Sequence, residues 1–175
     1  MIEVKILDDR LTEAPAYASA GAAAIDLRAC SVIEYRAGCS AQTRLLGPLT
    51  MRPGDRVKIG TGVAFDLRER TGLQGAHIIE LYDLTSLAGL ILPRSGLGSR
   101  GLMLQNTVGL IDSDYQGEIM LMTWNAGNDV ITIQPLDRIA QMLIIEPIRP
   151  SFAVVSEFSR STERGTDGFG STGAA

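Results

Sequence analysis

Two aspartates, Asp112 and Asp114, stand in the run Gly109-Leu110-Ile111-Asp112-Ser113-Asp114-Tyr115-Gln116-Gly117. A carboxylate fixed in place beside apolar chain is a candidate general base, able to take a proton from water. The apolar run stops at Asp112 and resumes at Ile119, so a strand, a tight turn and a second strand are expected, with the carboxylate at the mouth of a hairpin. Asp is also an ordinary turn former, so a purely structural reading stands beside this one for either aspartate. The sole histidine, His77, offers no His-rich metal site and no spare base for a Ser-His-Asp triad. Any metal would therefore be a hard cation held by oxygen.

Of the 16 basic residues, only Lys5 and Lys58 are lysines. The arginines bring planar donor forks suited to phosphate, although such a bias is equally a compositional habit. With 20 acidic residues the formal net charge is −4, which argues against a general nucleic-acid binder with its basic face. Cys30 and Cys39 are too few for a disulfide scaffold or a Cys-based zinc site. No signal peptide or membrane-length apolar run is visible, so a cytoplasmic protein with free thiols is expected.

The elements that must position these groups read as strands. At 175 residues, 45% of them hydrophobic, the chain is expected to be one domain with a sizeable core. Glu3 to Leu7 alternates, and Val57, Ile59, Val63 and Phe65 follow the turn signal Arg52-Pro53-Gly54-Asp55. Leu87 to Leu92 ends at Pro93. Ile119 to Trp124 and Val130 to Ile133 flank the hairpin signal Asn125 to Asp129, and Arg138 to Ile145 is the longest β-like run. Short strands cut by Gly, Pro and Asn turns predict an all-β sandwich or barrel. Ser95, a good N-cap residue, opens a possible helix after Pro93-Arg94. Ile78, Leu81, Tyr82 and Thr85 also have helical spacing, but strand or loop is the reading preferred there. Residues 159–175 are rich in Ser, Thr and Gly. Alone they read as a disordered terminus, or as a segment able to wrap an anion with Arg164 and stack Phe169 on a flat ligand.

Five stretches occur in a telling order: Ala18 to Leu27, Pro93-Arg94-Ser95-Gly96-Leu97, Asn106 to Gly117, Arg138-Ile139-Ala140-Gln141-Met142, and Arg164 to Gly173. Together they resemble the five motifs of the trimeric dUTP diphosphatases (dUTPases) of bacterial type, from about Lys5 to Gly173. The resemblance implies a jelly-roll-like distorted β-barrel or sandwich over residues 1–158, and a flexible glycine-rich arm, 159–175, closing over a neighbour's active site. It implies a homotrimer with sites shared between subunits, which hydrolyses dUTP to dUMP and diphosphate with Mg²⁺ and so supplies dUMP for thymidylate synthesis. No nucleic acid or membrane partner is implied.

The resemblance also implies roles. Asp112 would activate a water for attack on the α-phosphorus. Tyr115 would pack on the deoxyribose and leave no room for a 2′-hydroxyl. Asn106, with Gly109 and other backbone groups, would read the uracil edge. Arg94, Ser95, Gly96 and Gln141 would bind phosphates, the first three at a short helix's start. Asp26 would act through water on a magnesium held mainly by the triphosphate. Arg164 would pair with the terminal phosphate, Phe169 would cover the uracil, and Gly170, Ser171 and Thr172 would complete the arm's contacts. A dCTP deaminase of the same fold is the nearest rival, but Met122 stands where it needs a proton-shuttling Glu. A catalytically inactive β-trimer that only binds partners is the other.

Three departures stand out. Leu136 replaces a customary Gly, which should alter a turn and not the chemistry. Asp167 replaces another Gly and should point away from the phosphates, since like charge beside a triphosphate costs on the order of ~1 kcal/mol or more. Extra residues around Tyr35 to Leu46 and Arg68 to Leu84 are expected to lengthen surface hairpins, with His77 solvated in one.

Overall fold

The computed structural model describes residues 2–36, 39–68 and 87–166. Over these the chain forms strands β1 (Glu3–Ile6), β2 (Ile25–Arg28), β3 (Ser31–Arg36), β4 (Cys39–Arg44), β5 (Leu49–Met51), β6 (Arg56–Gly60) and β7 (Val63–Asp66). Then follow β8 (Ala88–Pro93), the single helical turn α1 (Ser95–Gly98), β9 (Leu102–Leu104), β10 (Gly109–Ile111), β11 (Met120–Asn125), β12 (Ile131–Ile133) and β13 (Arg138–Ile145). His77, the helical spacing from Ile78 to Thr85, and Asp167 to Thr172 lie outside the described residues. Among the described residues no helix is long and apolar enough to cross a membrane.

The expected all-β architecture is observed. One sheet has the order β10-β8-β13-β2 and another β4-β3-β6-β11-β9, with the small pairs β1-β7 and β12-β5 beside them. Alternation sets which side chains enter the core. On β11, Leu121, Thr123 and Asn125 are buried while Met122 is exposed; on β12, Ile131 and Ile133 point in and Thr132 out. Leu27, Ile59, Phe65, Ile91, Leu121, Ile133 and Met142 belong to one hydrophobic cluster that draws on all four sheets. The first extra segment is a surface hairpin as expected, since β3 pairs with β4 at the edge of its sheet.

Two expected hairpins are instead crossings between sheets. β10 pairs with β8, whereas β11 pairs with β6 and β9. The reason lies at Ile119, which is fully buried. Its N–H donates to Val63 O at 2.9 Å and its carbonyl accepts from Thr61 N at 3.1 Å, so the chain is drawn to the β6–β7 corner instead of folding back on β10. β11 and β12 likewise belong to different sheets. There the buried Asn125 makes the corner: Nδ2 donates to Met51 O at 2.9 Å and to Asp129 O at 2.8 Å, while Oδ1 accepts from Gly127 N at 3.0 Å. Strand patterning alone does not distinguish such a corner from a hairpin turn.

Cys30 is a buried free thiol, pushed up to about 12 chiefly by burial. It donates to Thr61 O at 3.2 Å and is inert as a nucleophile.

Asn125→Ala removes three hydrogen bonds at a fully buried position and is expected to cost about 3 kcal/mol of unfolding free energy, read from the urea midpoint. A loss below about 1 kcal/mol would show that the corner is held by other groups.

Candidate active site

The longest strand, β13, organises the first half of the site. Gln141 lies between Asp26 on β2 and Leu92 on β8 in the ladder, so the first, second and fourth motifs meet at one end of the sheet. The Asp26 carboxylate is held by two guanidinium groups: Oδ1 by Arg94 Nε at 2.8 Å and Oδ2 by Arg138 Nη1 at 3.1 Å. Arg94 also donates to Arg138 O at 3.2 Å, and Gln141 Nε2 donates to Pro93 O at 2.9 Å. A cleft of about 370 Å³ lies against Asp26 and Arg138. Arg138, to which the resemblance assigns no role, is thus a second cation on Asp26. Only the register of β13 against β2 reveals it.

The helix start is displaced by one residue from its expected place. Arg94, with extended backbone, is the N-cap residue, and Ser95 is the first helical residue. The Arg94 carbonyl accepts the first intrahelical bond, from Gly98 N at 2.8 Å, which defines the cap position. The Arg94 side chain makes no capping hydrogen bond. The turn's first N–H groups, at Ser95 and Gly96, therefore receive no capping bond from the Arg94 side chain.

The second half is the loop after β10. The Ser113 carbonyl accepts from Leu67 N at 3.2 Å, and Tyr115 N donates to Asp112 O at 3.2 Å. Gln116 Nε2 donates to Asp66 Oδ2 at 2.6 Å. Arg68 bonds both Asp66 oxygens and holds that carboxyl well below its ordinary value of 3.8. Asp112 and Tyr115 are exposed. Upstream, a Cβ on Gly109 would meet Ile91 Cβ at 3.2 Å and Asn106 Nδ2 at 3.4 Å, so this glycine lets the Asn106 amide lie close to the strand. Thr107 has φ of 57°, a left-handed conformation that a β-branched residue rarely adopts.

Among the described residues, the expected site residues do not all converge within one chain. Ile111 lies opposite Gly89, and Pro93 opposite Ala140. Asp112 thus continues past one end of β8 and Arg94 past the other. The six steps of strand between residues 88 and 94 span about 20 Å. Arg164 is exposed in the irregular segment after β13.

A protein-family model described as dUTPase matches residues 63–173. The chain belongs to the dUTPase family. It is 45% identical to the deoxyuridine 5′-triphosphate nucleotidohydrolase of Azoarcus sp. (strain BH72), covering 98% of this chain and 97% of that one. Identity to the protein of the same name from Aromatoleum aromaticum is 44%, with the same coverage. Among solved structures, a Staphylococcus bacteriophage 80alpha dUTPase with dUPNHPP aligns with a TM-score of 0.72 at 22% identity, over 99% of this chain and 98% of that one. A mutant dUTPase from phage phi11 of S. aureus, described as revealing the coordination of a structural Mg(II) ion, aligns with a TM-score of 0.63 at 18% identity, over 90% and 98% of the two chains. These likenesses place the fold with the jelly-roll dUTPases.

For a dUTPase, Leu136 is an informative departure. It takes φ of 66°, where glycine is strain-free. Its N–H donates to Ala29 O at 2.8 Å and its carbonyl accepts from Arg28 at 2.9 Å, so the turn survives without the glycine. Among the described residues no group of three or more His, Cys, Asp or Glu side chains could hold a metal, and both oxygens of Asp26 already face arginines. Asp26 offers oxygen donors of the kind magnesium takes.

Thr107→Gly is expected to raise unfolding stability by about 0.5–1 kcal/mol by relieving left-handed strain, measured by thermal denaturation. A lower melting temperature would show that the threonine side chain contributes more than its backbone costs.

Proposed function

We infer that this chain hydrolyses dUTP to dUMP and diphosphate, and that it does so as a homotrimer whose active sites are shared between subunits. The observation that carries this reading is the division of the site by β8. A phosphate-binding end with Arg94, Gln141 and a helical turn stands about 20 Å from the carboxylate loop at the other end. Each half is fit for its task and neither is complete alone. Closed symmetry supplies the missing half from a neighbour. The segment after Ile145 supports the same conclusion, since Phe152 and Phe158 are 90% exposed and Ile148 is 74% exposed in the single chain. A row of such side chains calls for a covering partner.

In this reading Asp112 takes a proton as water forms its bond to the α-phosphorus, and the bond to the bridging oxygen breaks to release diphosphate. Arg94, Gln141 and the N–H groups of Ser95 and Gly96 hold the phosphates. Asn106 and the Gly109 backbone read the uracil edge, where a cytosine presents the wrong hydrogen-bond polarity. Tyr115 packs on the deoxyribose. Asp26 would be the side chain that holds, through water, a magnesium carried by the triphosphate, and that ion would offset the triphosphate's charge. Arg164, Phe169, Gly170, Ser171 and Thr172 close the arm of residues 159–175 over a neighbour's site. A cytoplasmic location is part of the proposal. Deamination of dCTP is disfavoured because Met122, exposed on β11, cannot carry a proton.

Asp112→Asn is expected to lower kcat by a factor of about 10²–10⁴ while dUTP still binds, as read by diphosphate release and calorimetry. A fully active variant would remove Asp112 as the base.

A further inference from the structure

We propose that Gly117 and Glu118 build the seat of the Tyr115 ring and thereby set the discrimination between deoxyribose and ribose. The proposal rests on the reading of Tyr115 as the residue that packs on the sugar. A Cβ built on Gly117 would lie 2.6 Å from Tyr115 Oη, 2.7 Å from Cζ and 3.1 Å from Cε2. The ring therefore lies directly on the Gly117 backbone, at a distance that no side chain permits. Its hydroxyl donates to the Glu118 carbonyl at 3.0 Å, which fixes the far end of the ring. Tyr115 is 43% exposed, so the side turned from this seat remains open to a ligand.

Glu118 is itself immobilised from both sides. Its Oε1 accepts from Gly62 N at 2.7 Å and its Oε2 from Gln42 Nε2 at 2.8 Å. Gln42 also donates to Ser31 Oγ at 2.7 Å, and the next residue in the chain, Ile119, is locked into the β6–β7 corner. The ring is thus referenced to the core through the Glu118 carbonyl. Steric exclusion of a 2′-hydroxyl depends on ring position to a fraction of an ångström, because repulsion rises steeply once van der Waals contact is reached. Adding a methyl group at residue 117 displaces only the end of a flexible side chain. The fold should tolerate it, and the consequence falls on the sugar site.

The test compares kcat/KM for dUTP and UTP, with melting temperatures, in the full-length protein and its variants Tyr115→Ala, Gly117→Ala, Glu118→Ala and Glu118→Gln. The dUTP-to-UTP ratio should narrow in Tyr115→Ala. It should narrow about tenfold or more in Gly117→Ala, in the range that small steric changes in a pocket produce, with a near-native melting temperature. Glu118→Ala should narrow the ratio, and Glu118→Gln should restore it, since an amide oxygen still accepts from Gly62 and a rotated Gln42 can pair with the new amide. A ratio that narrows in Tyr115→Ala but is unchanged in Gly117→Ala, or a parallel loss for both nucleotides there, overturns the seat and leaves the sugar role standing. An unchanged ratio in Tyr115→Ala refutes the sugar role, and the proposal with it. Should Gly117→Ala fail to fold, the Glu118 pair decides: equal ratios in Glu118→Ala and Glu118→Gln refute the seat.

Discussion

The antiparallel ladder that joins β8 to β10 on one side and β13 on the other is the constraint on which the site depends. It holds Asp26, Arg94 and Gln141 at the Pro93 end of the sheet and sends Asp112 past the Ala88 end. Backbone pairing is stiff, and no side-chain rotation closes a gap of about 20 Å. The same hydrogen bonds that make the sheet therefore keep the two halves of the proposed site apart within a single chain.

Within each half, charge and backbone geometry do the positioning. Asp26 is held between Arg94 and Arg138; this orients two guanidinium groups beside a helical turn whose N-cap residue makes no side-chain capping bond. The carboxylate loop is fixed differently, through the Ser113 carbonyl, the Asp66–Gln116 bond and the burial of Ile119. Thr107 stores backbone strain next to Asn106, and strained residues of this kind persist where surrounding structure over-determines them.

Much of this was legible in the sequence, for physical reasons. Period-two alternation at Leu121 to Asn125 and Ile131 to Ile133 marked strands with one buried face, and Gly, Pro and Asn marked their ends. The order of five short motifs pointed to the family, which 45% identity over nearly the whole chain establishes. The two supposed hairpins were not legible as corners, because a strand's partner depends on distant residues: Val63 and Thr61 for Ile119, Met51 for Asn125. Arg138 escaped notice for the same reason, since its partner Asp26 lies 112 residues away in the chain. The assignment of Ser95 as N-cap missed by one residue, within the usual uncertainty of helix ends.

The proposed sharing of active sites between subunits is tested most directly by mixing two inactive variants. Asp112→Asn and Arg94→Ala chains, co-refolded in equal amounts, should regain about a quarter of native activity, because random assortment around a closed ring pairs an intact Asp112 with a neighbour's intact Arg94 at that frequency. A mixture no more active than either variant alone would contradict the account.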